Sequence, residues 1–196
     1  MSELARYRTA LEPFTEELAA LATAQLSISE KREHGFITLR GELHSPAVEQ
    51  DYARLGLKAP SQPLSYTGEA RARLLWVSPD ECLLVCAPGT KQHWLERLTD
   101  PSIQALAVID TSGTYSYLEL SGEQVEACLG KVCPYNFGAG SFPVGKVVGS
   151  VIKGIPCMFV RVEPYRFQVL VRFSFANYVF RLLSHATAEF NQRHSA

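Results

Sequence analysis

The strongest constraint in the sequence is a repeated alternation of paired strand patterns with a single helical pattern. Apolar residues recur at every second position in the strand segments and at every third or fourth position in the helical ones. Two adjacent strands followed by a helix favour antiparallel pairing, with the helix packed on one face of the sheet. We therefore predict an α+β fold with a mixed, mostly antiparallel sheet and helices on one face. The predicted strands cover residues 26–28, 36–40, 74–78, 82–86, 105–109, 115–120, 147–152, 155–162 and 166–172.

Capping residues locate two of the predicted helices. Ser45 followed by Pro46 starts one helix and Gly56 ends it, because serine accepts a bond from an orphan amide and glycine adopts the left-handed cap. A further helix covers residues 90–98. Ser121 and Gln124 have the spacing of a capping box, which predicts that a helix starts at Ser121.

The N-terminal segment carries apolar residues at heptad spacing between charged ones, which predicts a helix over residues 2–26 with a kink or a new start at Pro13. The stripe, which includes Leu4, Leu11 and Leu18, packs either on its own domain or on another subunit. We accordingly divide the chain into an amphipathic segment, 1–26, and an α+β domain, 27–190, which could form two lobes, 27–104 and 105–190.

The last predicted helix starts at Ser174, with Phe173 and Tyr178 as a hydrophobic staple. Its predicted buried face is defined by spacings of 3, 4, 7, 8, 11 and 15 from the first residue. This placement leaves Phe180 exposed beside Arg181, and aromatic and arginine side chains are enriched at interface cores. Phe180 and Arg181 are therefore candidate partner contacts. The predicted buried residues are Phe175, Tyr178, Val179, Leu182, Leu183, Ala186 and Phe190.

Charge and composition exclude several classes of protein. The 196 residues carry a formal net charge of −1, so no global positive field attracts nucleic acid or an acidic membrane. The longest charge-free run, residues 132–145, is shorter than a bilayer requires and contains two prolines. No basic and apolar leader pattern is present, and five cysteines form no CxxC pair. These features predict a cytoplasmic protein with reduced thiols and without nucleic-acid or membrane partners.

Candidate ligand motifs are incomplete. The segment 140–146, GSFPVGK, matches the start of a phosphate loop, but Val147 replaces the Ser or Thr that holds magnesium and a strand pattern follows. Cys82 and Cys86 lie on one strand face without a second ligand pair, so buried apolar thiols are the preferred interpretation. Cys133 has no histidine nearby in sequence. We predict no metal or cofactor site on this chain.

Two carboxylate positions are candidates for catalysis. Asp80 and Glu81 lie at a predicted hairpin turn, where a solvated turn is the preferred interpretation, and the stronger candidate is Asp110. It ends an apolar strand and precedes Thr111, Ser112 and Gly113, and loops at strand ends often carry functional groups. The preferred alternative is a local Asx turn, in which the carboxylate caps the backbone two residues later. No complete catalytic constellation emerges from the sequence.

Four segments together resemble one family. RLLWVSPDECLLV (73–85), AVIDTSGTYSYLELSG (107–122), ACLGKVCPYNFGAGSFPVGK (127–146) and VLVRFSFANYVFRLL (169–183) are similar, in order and spacing, to the gamma subunit of heterotetrameric sarcosine oxidase. The small subunit of N-methylglutamate dehydrogenase is similar too, and FITLRG (36–41) resembles the family's early strand. The chain departs from the family's usual residues at positions 115–116 and 138–140.

This resemblance implies a fold like the folate-binding domain of aminomethyltransferases. It implies a noncatalytic, structural subunit of an oxidoreductase complex that demethylates sarcosine or a related N-methyl amine. The implied partners are larger alpha and beta flavoprotein subunits and a small delta subunit. The implied cofactors of the complex are FAD, FMN, NAD and tetrahydrofolate, none of them on this chain. The alternative is a free-standing folate-dependent aminomethyl- or formyl-transfer enzyme with Asp110 at its site.

Overall fold

The computed structural model of the chain describes residues 8–23 and 25–192, in which the nine predicted strands are present and β3 is an additional strand that was not predicted. The strands are β1 (Ser27–Glu30), β2 (Gly35–Arg40), β3 (Tyr66–Glu69), β4 (Ala72–Ser78), β5 (Glu81–Cys86), β6 (Ala107–Asp110), β7 (Tyr115–Ser121), β8 (Val147–Ile152), β9 (Ile155–Glu163) and β10 (Arg166–Arg172). The helices are α1 (Thr15–Ala20), α2 (Pro46–Leu55), α3 (Lys91–Leu98), α4 (Val125–Val132) and α5 (Ala176–Gln192).

The described chain forms two compact units. The central unit consists of Glu33–Tyr115 and Gly145–Val148, and the terminal unit consists of the described residues up to Arg32, Ser116–Val144 and those from Gly149 onward. The strand orders of the two five-stranded sheets are β3-β4-β5-β2-β6 and β1-β7-β10-β9-β8. The α+β class is therefore confirmed. The predicted boundaries 1–26 and 27–190 stay a prediction.

Antiparallel pairing and one apolar face organise the central unit. β4 pairs with β5, β5 with β2, and β2 with β6, all antiparallel. Alternate residues of these strands pack against α2 and α3, as the period of two predicts. The predicted caps of α2 are confirmed, since the Ser45 hydroxyl accepts from the Val48 amide and Gly56 has a φ of 68°. The shared core comprises Ile37, Leu39, Leu43, Val48, Tyr52, Leu55, Leu74, Cys82, Leu84, Cys86, Leu98 and Leu106.

In the terminal unit the predicted capping box is wrong. Ser121 is the last residue of β7, where it pairs with Ser27 of β1, and α4 begins at Val125 without a side-chain cap. Gly122 follows with a φ of 120°, and a Cβ there would lie 2.1 Å from the carbonyl oxygen of Gln25. Ser121 therefore belongs to the sheet and does not cap α4, because its pairing with β1 is more favourable than one capping hydrogen bond.

The N-terminal helix is shorter than predicted. Pro13 lies in a 3-10 turn, Glu12–Phe14, and α1 ends at Ala20 instead of continuing to residue 26. Leu11 is fully buried and Leu18 is 7% exposed, so these two stripe residues pack within this chain. Leu4 lies outside the described residues.

The prediction for the last helix is confirmed for Val179, Leu183, Ala186 and Phe190, which are buried, and is wrong for the aromatic residues near its start. Phe180 is fully buried with its ring 5.4 Å from that of Phe14, whereas Phe175 and Tyr178 are 42% and 51% exposed. The staple is absent too, since Phe173 is 41% exposed in a 3-10 turn before Ala176 starts α5. Two apolar stripes overlap in this sequence, and packing of α5 on α4 and β10 selects the other one. The observed buried stripe is Ala176, Val179, Phe180, Leu183, Ala186, Thr187 and Phe190.

The rotation of α5 is tested by two Phe-to-Ala substitutions. Phe180→Ala removes a fully buried ring, and we expect it to lower the free energy of unfolding by about 3–5 kcal/mol. Phe175→Ala removes a half-exposed ring, and we expect a loss below about 1 kcal/mol. Urea unfolding measures both. A larger loss for Phe175→Ala than for Phe180→Ala would favour the predicted rotation, with Phe175 inward, and equal losses would contradict the observed one.

Candidate functional site

Asp110 is engaged in a local turn in the central unit. Its Oδ1 accepts from the Ser112 amide at 3.0 Å and from the Ser112 hydroxyl at 2.6 Å, and its Oδ2 accepts from Lys91 Nζ at 3.1 Å. Partial burial raises the pKa of Asp110, but the bonds from Ser112 and Lys91 outweigh it and hold the pKa below its ordinary value. The carboxylate therefore stays ionised and bonded, which is the Asx turn that the sequence favours.

Two clefts in the central unit do not include Asp110. One, of about 380 Å³, is lined by His44, Glu49, Tyr52, Ala53, Leu57, Lys58, Ala59 and Ser61. The other, of about 320 Å³, lies along β3 and β4 beside Trp94 of α3. Among the described residues, no cluster of three or more His, Cys, Asp or Glu could hold a metal ion. The transferase alternative with Asp110 at its site is not favoured by this arrangement.

The cysteines are free and buried, as the sequence predicts. Burial raises the pKa of Cys82, Cys86, Cys128 and Cys157 to about 12 in each case. Since the thiolate is the reactive form, these four thiols are inert at neutral pH.

The incomplete phosphate loop, residues 140–146, overlaps a segment that we call the anchored loop, residues 134–144. After Gly145, which has a φ of 93°, the chain enters β8 and not a helix. A phosphate loop requires a helix N-terminus at this point, so the interpretation as a nucleotide site fails. The anchored loop has a different organisation, based on its own backbone and on one arginine.

Local hydrogen bonds close the anchored loop on itself. The amides of Ser141 and Phe142 donate to the carbonyl oxygen of Gly138 at 3.0 and 2.9 Å. Asn136 Oδ1 accepts from the Gly138 amide at 3.0 Å, and the Tyr135 hydroxyl donates to the Ser141 carbonyl at 3.0 Å. The backbone between residues 136 and 142 is therefore bonded across the turn.

Arg161 of β9 holds the anchored loop by hydrogen bonds to its backbone. It is 3% exposed, and its Nη1 donates to the carbonyl oxygens of Phe137 and Phe142 at 3.1 and 2.8 Å. Its Nη2 donates to Glu126 Oε1 at 2.8 Å and to the Pro164 carbonyl at 2.5 Å. The guanidinium thus joins both ends of the turn to α4 and to the end of β9. Its planar set of donors suits this task, whereas an ammonium group is a single point of charge.

Aromatic rings pack beside the guanidinium. The Phe137 and Phe142 rings lie 5.5 Å apart in an edge-to-face arrangement, and each is at most 3% exposed. Phe137 also lies 4.9 Å from Phe159, and Phe142 lies 5.6 Å from Phe167. The Arg161 guanidinium lies 4.8 Å from the Phe167 ring centre. These contacts form an apolar base under the loop, since such ring geometries are favourable.

Sequence reasoning missed Arg161. The available signal was a single charged residue within the apolar run of β9, between Val160 and Val162. A buried arginine requires acceptors, and those of the two terminal nitrogens of Arg161 come from segments that are 3 to 35 residues away in sequence. The spacing of these acceptors in the sequence does not by itself predict that they surround Arg161.

Comparison with known proteins matches most of this chain. A model of the sarcosine oxidase, gamma subunit family matches residues 40–189, which include the anchored loop and Arg161. The chain belongs to this family. It is 31% identical to sarcosine oxidase subunit gamma of an Arthrobacter species over 144 residues, 70% of this chain and 68% of that relative. It is 30% identical to the subunit gamma of Corynebacterium sp. (strain P-1), where the match spans 60% of this chain and 57% of that relative.

Two solved structures share the fold of this sarcosine oxidase gamma family member. A chain of the heterotetrameric sarcosine oxidase from Corynebacterium sp. U-96, in complex with pyrrole 2-carboxylate, superposes with a TM-score of 0.86 at 23% identity, covering 94% of this chain and 96% of that one. The glycine cleavage system aminomethyltransferase T from Bartonella henselae gives a TM-score of 0.59 at 15% identity, covering 85% of this chain and 47% of that one. The predicted family and the aminomethyltransferase-like fold are confirmed.

The role of Arg161 in holding the anchored loop is tested by Arg161→Met. The substitution leaves three carbonyl groups and Glu126 without their donor, so we expect the free energy of unfolding to fall by about 3–5 kcal/mol. Arg166→Met is the matched control, because Arg166 forms an exposed pair with Glu163 at 2.8 Å, and we expect a change within about 0.5 kcal/mol. Urea unfolding compares the two, and similar losses would contradict a special role for Arg161.

The protonated thiols give a second prediction. At about pH 8 the folded chain should leave Cys82, Cys86, Cys128 and Cys157 unmodified by an aromatic disulfide reagent, and denaturant should expose them. The folded thiols have a pKa of about 12, whereas the ordinary thiol value is 9.0. The contribution of these thiols to the free energy of unfolding is therefore complete below pH 9.0 and is lost as the pH rises from 9.0 towards 12. Absorbance of the released thiolate counts modified residues. Rapid modification of these four thiols in the folded chain would contradict their assignment as buried and protonated.

Proposed function

We propose that this chain is a noncatalytic assembly subunit of a flavin-dependent heterotetrameric sarcosine oxidase. The observation that carries the proposal is the family match over residues 40–189. In the complex, the chain contributes to the oxidative demethylation of an N-methyl amine by supporting the subunits that catalyse it. The similarity to a chain of the Corynebacterium heterotetramer over nearly its full length supports the same role.

The chemistry of the described residues supports an assembly role. Asp110 is ionised and bonded to Ser112 and Lys91, and the buried thiols are protonated. Arg161, which could otherwise bind an anion, donates to three carbonyls and one carboxylate of its own chain. General acid–base or nucleophilic catalysis needs an activated group next to a partner and a substrate space. The groups that the sequence nominated are instead used by the fold.

The surface of the terminal unit supports contact with other proteins. Phe173, Phe175 and Tyr178 are between 41% and 51% exposed within six residues of chain. Exposed aromatic side chains are enriched at the cores of interfaces. Arg181 is exposed as well, and it pairs with Glu17 at 3.0 Å and lies over the Phe14 ring. Of the partner contacts that the sequence nominated, Leu11, Leu18 and Phe180 are buried within this chain, and Arg181 stays a candidate.

The proposed partners are larger alpha and beta flavoprotein subunits and a small delta subunit. On this proposal those subunits bind FAD, FMN, NAD and tetrahydrofolate, and this chain binds none of them. No helix in the described part of the chain has the length and apolar content to cross a bilayer.

Co-expression tests the proposed function. The alpha, beta and delta subunits of the same organism are produced with and without this chain, and the complex is purified through a tag on the beta subunit. We expect this chain in a yellow complex, and at least a tenfold lower yield of active oxidase when it is omitted. The isolated chain serves as the control and should neither oxidise sarcosine nor bind tetrahydrofolate. Turnover by the isolated chain, or a complex of full yield and activity without it, would refute the proposal.

A further inference from the structure

The cleft of about 320 Å³ in the central unit combines an apolar floor with a charged rim. We call it the β3 cleft, and it lies between the β3–β4 hairpin, the segment that follows α2, and α3. Small-molecule sites are concave and mostly apolar, with a few convergent polar groups, and this volume is at the lower end of their usual range. The residues that bear on ligand binding are Leu57, Lys58, Glu69, Arg71, Leu74 and Trp94.

The floor of the β3 cleft belongs to the core of the central unit. Leu74 is 1% exposed, and Leu57 and Trp94 pack on the same core while they line the cleft. The Arg97 guanidinium lies 5.2 Å from the centre of the Trp94 ring and donates to the Arg54 carbonyl oxygen at 3.3 Å, which restricts the indole. The floor therefore suits an apolar group of a ligand, because contact with it removes apolar surface from water.

Strand register places a carboxylate beside this floor. In the antiparallel β3–β4 pair, Thr67 is opposite Leu74 and Glu69 is opposite Ala72. Residues that are directly opposite each other in such a pair share one face of the sheet. Glu69 therefore lies on the face that Leu74 buries in the core, at the end where the cleft leaves it exposed.

The rim of the β3 cleft carries charges of both signs. Lys58 and Arg71 are exposed cations, and Glu69 is an exposed carboxylate. Their side chains form no hydrogen bond or ion pair with any other residue that the structure describes. A small ligand with one carboxylate and one ammonium group is complementary to this set, because each of its charges can face a group of opposite sign.

We propose that the β3 cleft binds a free α-amino acid with an apolar side chain. Lys58 and Arg71 bind the carboxylate of the amino acid, and guanidinium donors match carboxylate oxygens in number and direction. Glu69 binds its ammonium group, and its side chain packs on Trp94 and the floor. This inference goes beyond the proposed assembly function and does not depend on it.

Three matched probes test the proposal on the purified full-length chain. L-phenylalanine carries both charges, 3-phenylpropanoate lacks the ammonium group, and L-phenylalanine amide lacks the carboxylate. Chemical-shift titration of the isotope-labelled chain measures each dissociation constant and locates the binding. We expect a dissociation constant below about 10 mM for phenylalanine, with shifts at residues 56–58 and 67–72. We expect binding of the other two probes to be about tenfold weaker, because each lacks one of the two charges.

Substitutions assign each charge of the ligand to a side chain. We expect Glu69→Gln to weaken phenylalanine binding about tenfold and to leave 3-phenylpropanoate unchanged, because only phenylalanine has an ammonium group. We expect Arg71→Met to weaken both acids about tenfold and to leave the amide unchanged, and Lys58→Met should act in the same way. Lys153→Met is the matched control, because Lys153 is an exposed cation in the β8–β9 turn of the terminal unit, and its binding should equal that of wild type. The spectrum of each variant without ligand checks its fold.

The outcomes that overturn the inference leave the assembly function untouched. Absence of saturable phenylalanine binding up to about 10 mM overturns it. Shifts confined to residues outside 56–58 and 67–72 overturn it as well. Equal binding of all three probes, or phenylalanine binding that Glu69→Gln and Arg71→Met leave unchanged, shows that the charged rim does not recognise the ligand. The proposed function is tested separately by co-expression, and binding of phenylalanine to the chain does not enter that test.

Discussion

The buried guanidinium of Arg161 is the interaction on which the terminal unit depends. A charge that is 3% exposed is stable only if its surroundings supply acceptors, and here four oxygens from the loop, α4 and the end of β9 do so. Because two of them are carbonyls within one turn, satisfying the charge also fixes the path of the anchored loop. The buried rings of Phe137, Phe142 and Phe167 pack together beside the same site. The path of the anchored loop and the burial of the Arg161 charge therefore depend on the same hydrogen bonds.

The candidate reactive groups of the central unit also take part in contacts that the fold requires. Asp110 ends β6 by capping its own backbone, and the thiols at positions 82 and 86 fill one apolar face of the central sheet. Asp110 and these two thiols therefore satisfy requirements of the fold. The proposed assembly role needs a folded body with exposed contact surfaces, and the described chain has a buried core and exposed aromatic side chains.

Its exposed aromatic residues follow from how α5 is placed. The helix turns Phe180 toward Phe14 and leaves Phe175 and Tyr178 in solvent. Either stripe satisfies helical periodicity, so neither is preferred by hydrophobicity alone. The turn at Phe173–Phe175 sets the start of the helix and hence its rotation. The exposed aromatic surface, which is typical of interfaces, therefore depends on the turn that follows β10.

Local patterns in the sequence were sufficient for nine of the ten strands, for α2 with its Ser45 and Gly56 caps and for the β4–β5 hairpin, because each depends on neighbours a few residues apart, but they did not predict β3. The family followed from four segments in order along the chain. The rotation of α5, the assignment of Ser121 to β7 and the cage around Arg161 were decided only in the tertiary structure. In each case the deciding contact joins segments that are distant in sequence, whether a ring at Phe14, a backbone at Gln25 or a carbonyl at Phe137. Periodicity describes what one element prefers, whereas long-range packing selects among preferences that are locally equal.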